Sequence, residues 1–302
     1  MEFARTCASK RRTYSSCAIL VLLVASALVG ITSCSSVPRD PVQLPDDAAA
    51  MARGQQLVRG LASCGFCHGQ IRHPDAPLQG GLPWHDRYGE VRAANITPDR
   101  ETGIGALPIA ALTQLLRGGG AADERPISLD AHRGYEWMAE EDLIAMMTYL
   151  RALPPVFRRV ERRERGFYSR NVEGFFESPH EVRGYIPETP RRFTAEYGKY
   201  LVDHVARCGQ CHNGPEGIFS EEDYLMGGKE VKVDGATKVA PRLKGAGWRG
   251  VRGWTEDDFL VFFRRGVTPL GERIDSRFCP ISFYREASDE DLLAISSYLR
   301  SL

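Results

Sequence analysis

Ala62-Ser63-Cys64-Gly65-Phe66-Cys67-His68 and Ala206-Arg207-Cys208-Gly209-Gln210-Cys211-His212 are the two stretches on which the reading turns. Cysteines at i and i+3 on a helical turn place two sulfurs on one side, and the His that follows presents an imidazole beside them. That spacing suits covalent haem attachment, the sulfurs meeting the two vinyl groups and the imidazole meeting the iron. Zinc wants four ligands, and each motif supplies three with no partner cluster nearby in the sequence. A thioredoxin-like pair needs a βαβ setting, and no strand pattern is visible. The expected cofactors are therefore two covalent, thioether-linked haems c, on Cys64 and Cys67 and on Cys208 and Cys211.

The motifs sit inside a longer repeat. Gly54, Leu57 and Val58 precede the first, and Gly198, Leu201 and Val202 precede the second, at the same spacing. Both units also close alike, Glu141-Asp142-Leu143 leading to Tyr149-Leu150-Arg151 and Glu290-Asp291-Leu292 to Tyr298-Leu299-Arg300. Self-similarity of this kind marks a duplication. The closing segments read as helices, with Leu143, Met146, Met147 and Leu150 at helical spacing and Leu292, Ile295, Ser296 and Leu299 repeating it. Ser288 reads as the second helix's N-cap, and Pro154-Pro155 stop the first. Gly54 and Gly198 fall on the opening helices, where a missing side chain allows another element to pass closely. A third helix per unit is expected at residues 109–117 and 256–265.

The N-terminus reads as an export signal. Arg5, Lys10, Arg11 and Arg12 precede an uninterrupted apolar stretch from Cys17 to Gly30. As a helix it would reach only about 21 Å, against roughly 30 Å of hydrocarbon. A secretory h-region therefore fits better than a spanning helix. Ile31-Thr32-Ser33-Cys34 resembles a bacterial lipobox, which makes Cys34 the candidate lipidation site. Ser35 after it resembles outer-membrane sorting in Gram-negative cells. The expected organisation is a signal peptide over 1–33, a tether over 34–50, one domain over 51–155, a linker over 156–192 and a second domain over 193–302. Past residue 33, acidic groups slightly outnumber basic ones, which sets nucleic-acid binding aside. The Arg-rich run from Arg158 to Arg165 reads as a solvated face, with a docking patch for an acidic redox partner as the alternative.

Both units resemble class I cytochrome c domains. Asn95 to Gly105 is similar to a segment of the cytochrome subunits of membrane-bound bacterial dehydrogenases, and Ala240 to Gly247 with Gly253-Trp254-Thr255 resembles the corresponding haem-edge loop. The resemblance implies an all-α fold of two tandem helical domains, each wrapped round a haem. It also implies His68 and His212 as proximal ligands and one-electron transfer as the task. Such domains usually carry a distal Met followed by Pro, and neither unit has it. Phe278-Cys279-Pro280 fits that frame with Cys in place of Met. Cysteine arithmetic points the same way. Cys7 and Cys17 leave with the signal, Cys34 takes lipid and four hold haem, so only Cys279 is left over. In the first unit the candidates are His132, alternatively Met138, or an open site. Met138 also reads as a staple onto Leu143. His73 and His85 read as exposed.

These features lead to a periplasmic, lipid-anchored diheme electron carrier, on the outer membrane rather than the inner. Its expected partners are a dehydrogenase, another cytochrome or a terminal oxidase. A peroxidase-like or thiosulfate dehydrogenase-like enzyme and a haem-based gas sensor are the alternatives.

Overall fold

The computed structural model describes residues 47–86, 89–118, 127–161, 181–215, 223–233, 235–245 and 250–302. The export signal, Cys34 and the tether before Asp47 lie outside the described residues, as does the middle of the 156–192 segment. The described residues fall within one compact unit. Among the described residues no helix is long and apolar enough to cross a membrane.

Two halves repeat one order of elements. The first runs α1 (Ala48–Gln56) into a π-helical turn (Leu57–Leu61), then α2 (Cys64–His68), the hairpin β1 (Pro83–Asp86) and β2 (Gly89–Arg92), α3 (Ile109–Leu116), α4 (Leu129–His132), a 3-10 turn (Tyr135–Trp137) and α5 (Glu140–Ala152). The second runs α6 (Ala195–Tyr200) into a π-helical turn (Leu201–Val205), then α7 (Gly209–His212), β3 (Glu230–Val233) and β4 (Ala236–Val239), α8 (Glu256–Arg265), α9 (Ile281–Tyr284) and α10 (Asp289–Ser301).

Local chemistry sets the helix ends. The side chains of Asp47, Thr194 and Ser288 accept hydrogen bonds from Ala50 N, Tyr197 N and Asp291 N, capping α1, α6 and α10. Thr255 and Asp258 form a reciprocal capping box on α8, and Gly266 ends it in the left-handed region at φ 64°. Three carboxylates open α5 and three open α10, where the helix dipole favours them.

In each half the opening and closing helices cross at a glycine. A Cβ on Gly54 would land on the carbonyl oxygen of Ala145 in α5, and one on Gly198 would land on that of Ala294 in α10. Both glycines are thus required by close approach of backbone to backbone, as their places in the sequence suggest. Leu57, Val58, Leu61, Leu143, Met146 and Leu150 form the first half's core beside these crossings. Leu201, Val202, Val205, Leu292, Ile295 and Leu299 form the second's.

The all-α expectation needs correction. Each half carries a short antiparallel hairpin, Trp84 pairing with Val91 and Val231 with Lys238. The four-residue strands are too short to carry a legible period, and Pro83 at the head of β1 masks the pattern further.

The ends of the 156–192 segment lie against the first half. Asn95 Nδ2 donates to Val156 O at 2.8 Å, and Val156 N donates to Thr97 Oγ1 at 3.1 Å. Glu140 N donates to Ile186 O at 3.0 Å. Arg159, in the charge run, pairs with Glu101 at the surface.

Candidate haem sites

Each attachment helix starts from a strained residue. Ser63, before Cys64, has φ 43°, and Arg207, before Cys208, has φ 51°. Left-handed backbone is uncommon outside glycine, and its recurrence at equivalent places marks a required turn. It reverses the chain between the π-helical turn and the Cys-bearing helix. The sequence carries no glycine there to reveal it.

The proximal rings are held in the same way in both halves. His68 Nδ1 donates to Ala94 O at 2.7 Å and His212 Nδ1 donates to Pro241 O at 2.6 Å, since a carbonyl can only accept. Each Nε2 therefore keeps its lone pair for a metal, the orientation that outer partners commonly impose on ligating histidines. Those carbonyls are placed by a brace that sequence reasoning missed. Gly80 N donates to His68 O and Gly227 N to His212 O, at 2.7 and 2.6 Å. Gly81 N and Gly228 N reach Ala93 O and Ala240 O at 2.8 and 2.9 Å, and the hairpins close the loops between. A Cβ on Gly80 or Gly227 would strike the returning backbone, and both glycines have positive φ. The signal was present as Leu78-Gln79-Gly80-Gly81, repeated in Leu225-Met226-Gly227-Gly228.

His132 stands beside His68 at the first site. Its ring centre lies 6.1 Å from that of His68, tilted by 49°, and its Nδ1 donates to Ser128 O at 2.8 Å. Two imidazoles on opposite faces of one metal, each bonded at about 2 Å, have ring centres roughly 6 Å apart. Burial pushes His132 down to about 3, assisted by the neighbouring His68, and burial lowers His68 and His212 as well. All three are neutral donors near pH 7. Met138 is wholly buried in the core cluster that holds Leu143. His73 and His85 are exposed, as expected.

In the second half Cys279 is half-buried against the core. Burial raises its thiol well above the usual range. Burial likewise pushes Cys64 and Cys67 up to about 11 and Cys208 up to about 12. All five described cysteines are free. Among the described residues no three His, Cys, Asp or Glu side chains gather as a metal site of protein ligands alone. The donor sets, two unpaired thiols with one oriented imidazole, therefore fit covalent haem in both halves and do not fit zinc.

The halves pack reciprocally at these sites. Phe66, from the first attachment helix, meets Phe283 of α9 edge-on with ring centres 6.3 Å apart. Gln210, from the second, donates to Asp130 O and Arg133 O beside α4, at 2.9 and 3.1 Å. Each attachment helix thus lies on the distal segment of the other half.

No family model matches the chain. It is 28% identical over 288 residues to the gluconate 2-dehydrogenase cytochrome c subunit of Pantoea cypripedii, covering 86% of this chain and 62% of that protein. It is 26% identical over 297 residues to the fructose dehydrogenase cytochrome subunit of Gluconobacter japonicus, covering 93% and 57%. The chain thus spans about three fifths of the length of these two relatives. A protein of Cereibacter sphaeroides named diheme cytochrome c-type is 26% identical over 305 residues, covering 96% of this chain and 98% of its own length.

Proposed function

We propose that this diheme c-type cytochrome, a relative of dehydrogenase cytochrome subunits, carries single electrons from a dehydrogenase-type donor to a downstream acceptor. The observation that carries the reading is the duplicated Cys-x-x-Cys-His helix whose imidazole is oriented by a backbone carbonyl in both halves. Bound haem would supply a one-electron iron couple at each site. Cys64, Cys67, Cys208 and Cys211 would anchor the two groups, and His68 and His212 would ligate them. His132 and Cys279 would supply the second protein ligand at each site. Each half is then a class I cytochrome c domain, over 51–155 and 193–302, with 156–192 as the link. The N-terminal signal sequence and Cys34 support a location on the periplasmic side of a bacterial membrane, with a lipid anchor at the outer membrane. The relatives' names favour a dehydrogenase partner over the peroxidase-like, thiosulfate dehydrogenase-like and gas-sensing alternatives.

Intact mass after co-expression with cytochrome c maturation machinery tests the reading. Two added haems are expected; one or none, where a control cytochrome matures, would overturn it.

The distal role of His132 has its own test. Wild-type ferrous protein should bind carbon monoxide poorly at the first haem, because the sixth position is filled. His132→Ala should bind it readily at that haem, changing the Soret band by one haem's worth. Equal binding in both proteins would reject His132 as a ligand.

A further inference from the structure

One side chain stands between the two sites and has no counterpart in the repeat. Arg207 immediately precedes Cys208, and the equivalent residue before Cys64 is Ser63. From the second half it reaches back to the first. Its Nη1 donates to Ala131 O at 2.6 Å, one residue from His132. Its guanidinium carbon lies 3.9 Å from the ring centre of Tyr135, whose hydroxyl donates to Ala62 O at 2.6 Å, two residues before Cys64. Gly134 makes room for it, since a Cβ there would touch the Arg207 stem. Its Nε is buried without a hydrogen-bond partner, and Arg207 makes no ion pair among the described residues. The nearest acid in sequence, Asp203, is already engaged by Lys199 and Tyr224.

We infer that Arg207 is a shared cation, paired with no protein carboxylate among the described residues, that raises the reduction potentials of both haems together. The reading rests on the two-haem proposal. Ferric haem carries one more positive charge than ferrous haem, so a fixed cation nearby disfavours the ferric state. Arginine keeps its charge at any working pH, and burial limits screening by salt. Arg207 is the residue before Cys208, and it lies over the Tyr135 ring whose hydroxyl bonds the Ala62 carbonyl two residues before Cys64, so one charge stands beside both attachment helices. Arg207 is thus a positioning residue for charge, and a single substitution acts on two centres.

Spectroelectrochemical titration of the holoprotein tests this, haem content being checked first by mass. In Arg207→Gln, and in Arg207→Asn, whose side chain tolerates the left-handed backbone, both potentials should fall. The ferric-to-ferrous ratio should rise about tenfold at each haem, which is 59 mV for a one-electron couple. Arg207→Lys should keep both potentials near wild type. A shift at one haem alone, no shift, or a Lys variant that moves as far as Gln would overturn the inference. Loss of haem from every neutral variant would overturn it too, because the side chain would then be holding the fold. A wild-type chain that matures without two haems refutes the two-haem proposal itself, so the two failures are distinguishable.

Discussion

Arg53→Met should destabilise the protein by about 3–5 kcal/mol, the usual loss when one partner of a buried ionic cluster is removed. Arg53 is 4% exposed and lies between two buried carboxylates from the two halves. Its Nε and Nη2 fork onto Asp142 at 2.8 and 3.0 Å, and its Nη1 reaches Asp291 at 3.0 Å. Tyr200 and Tyr197 hydroxyls donate to the same two carboxylates at 2.8 and 2.6 Å. Without the guanidinium, Asp291 keeps the Tyr197 phenol, and Asp142 keeps the Tyr200 phenol and a distant Arg191 at 3.8 Å. Arg53→Lys should recover little, since a single ammonium cannot reproduce the fork. Urea denaturation of the haem-loaded protein measures the effect, and a loss below about 1 kcal/mol would contradict it.

The same cluster sets a pH dependence. Burial alone would raise the Asp142 carboxyl, but Arg53 more than offsets it and holds it below its ordinary value of 3.8. A depressed folded value stabilises above the unfolded value and is lost as pH falls through the folded one. Wild type should therefore lose this contribution only below pH 3.8, and Arg53→Met should lack that part of the acid transition.

Cys279→Met should raise the second haem's potential by about 120 mV, a roughly hundredfold fall in the ferric-to-ferrous ratio at 59 mV per tenfold. A metal-bound thiol is deprotonated outright, whatever its value when free. Thiolate donates more electron density to iron than a thioether does and so holds the ferric state, whereas Met with His raises the potential. The low-spin thiolate EPR signature of the ferric protein should vanish in Cys279→Met and in Cys279→Ala. A second haem whose potential and spectrum ignore both changes would refute thiolate ligation. On the proposed assignments Arg207 acts on both centres and Cys279 on one, so the two sets of variants separate ligand from field.

What was legible in the chain was local or duplicated. The Cys-x-x-Cys-His turns and the Ser288 cap announce themselves within a few residues. Gly54 and Gly198 stand out because a repeat places the same unlikely residue twice on a helix. Even β3–β4 left a trace in the Asp234-Gly235 pair between its strands, a strong hairpin signal. The left-handed Ser63 and Arg207 left none, because their strain is imposed by packing and not by residue type. Contacts between the halves were also hidden. Arg53 looks like an ordinary helix-surface residue until Asp291, from the far end of the chain, is brought against it.

The reciprocal seating of each attachment helix on the other half changes what duplication means for this protein. Copies of a gene segment ordinarily drift apart, each answerable only to its own fold. Here Phe66 is shaped by Phe283, and Gln210 by the carbonyls around Asp130, so each copy is part of the selective environment of the other. A substitution in one copy is thus tolerated or rejected in part by the packing of the other. A chimera that joins one half of this chain to the opposite half of a relative would therefore inherit two sound folds and a mismatched seam.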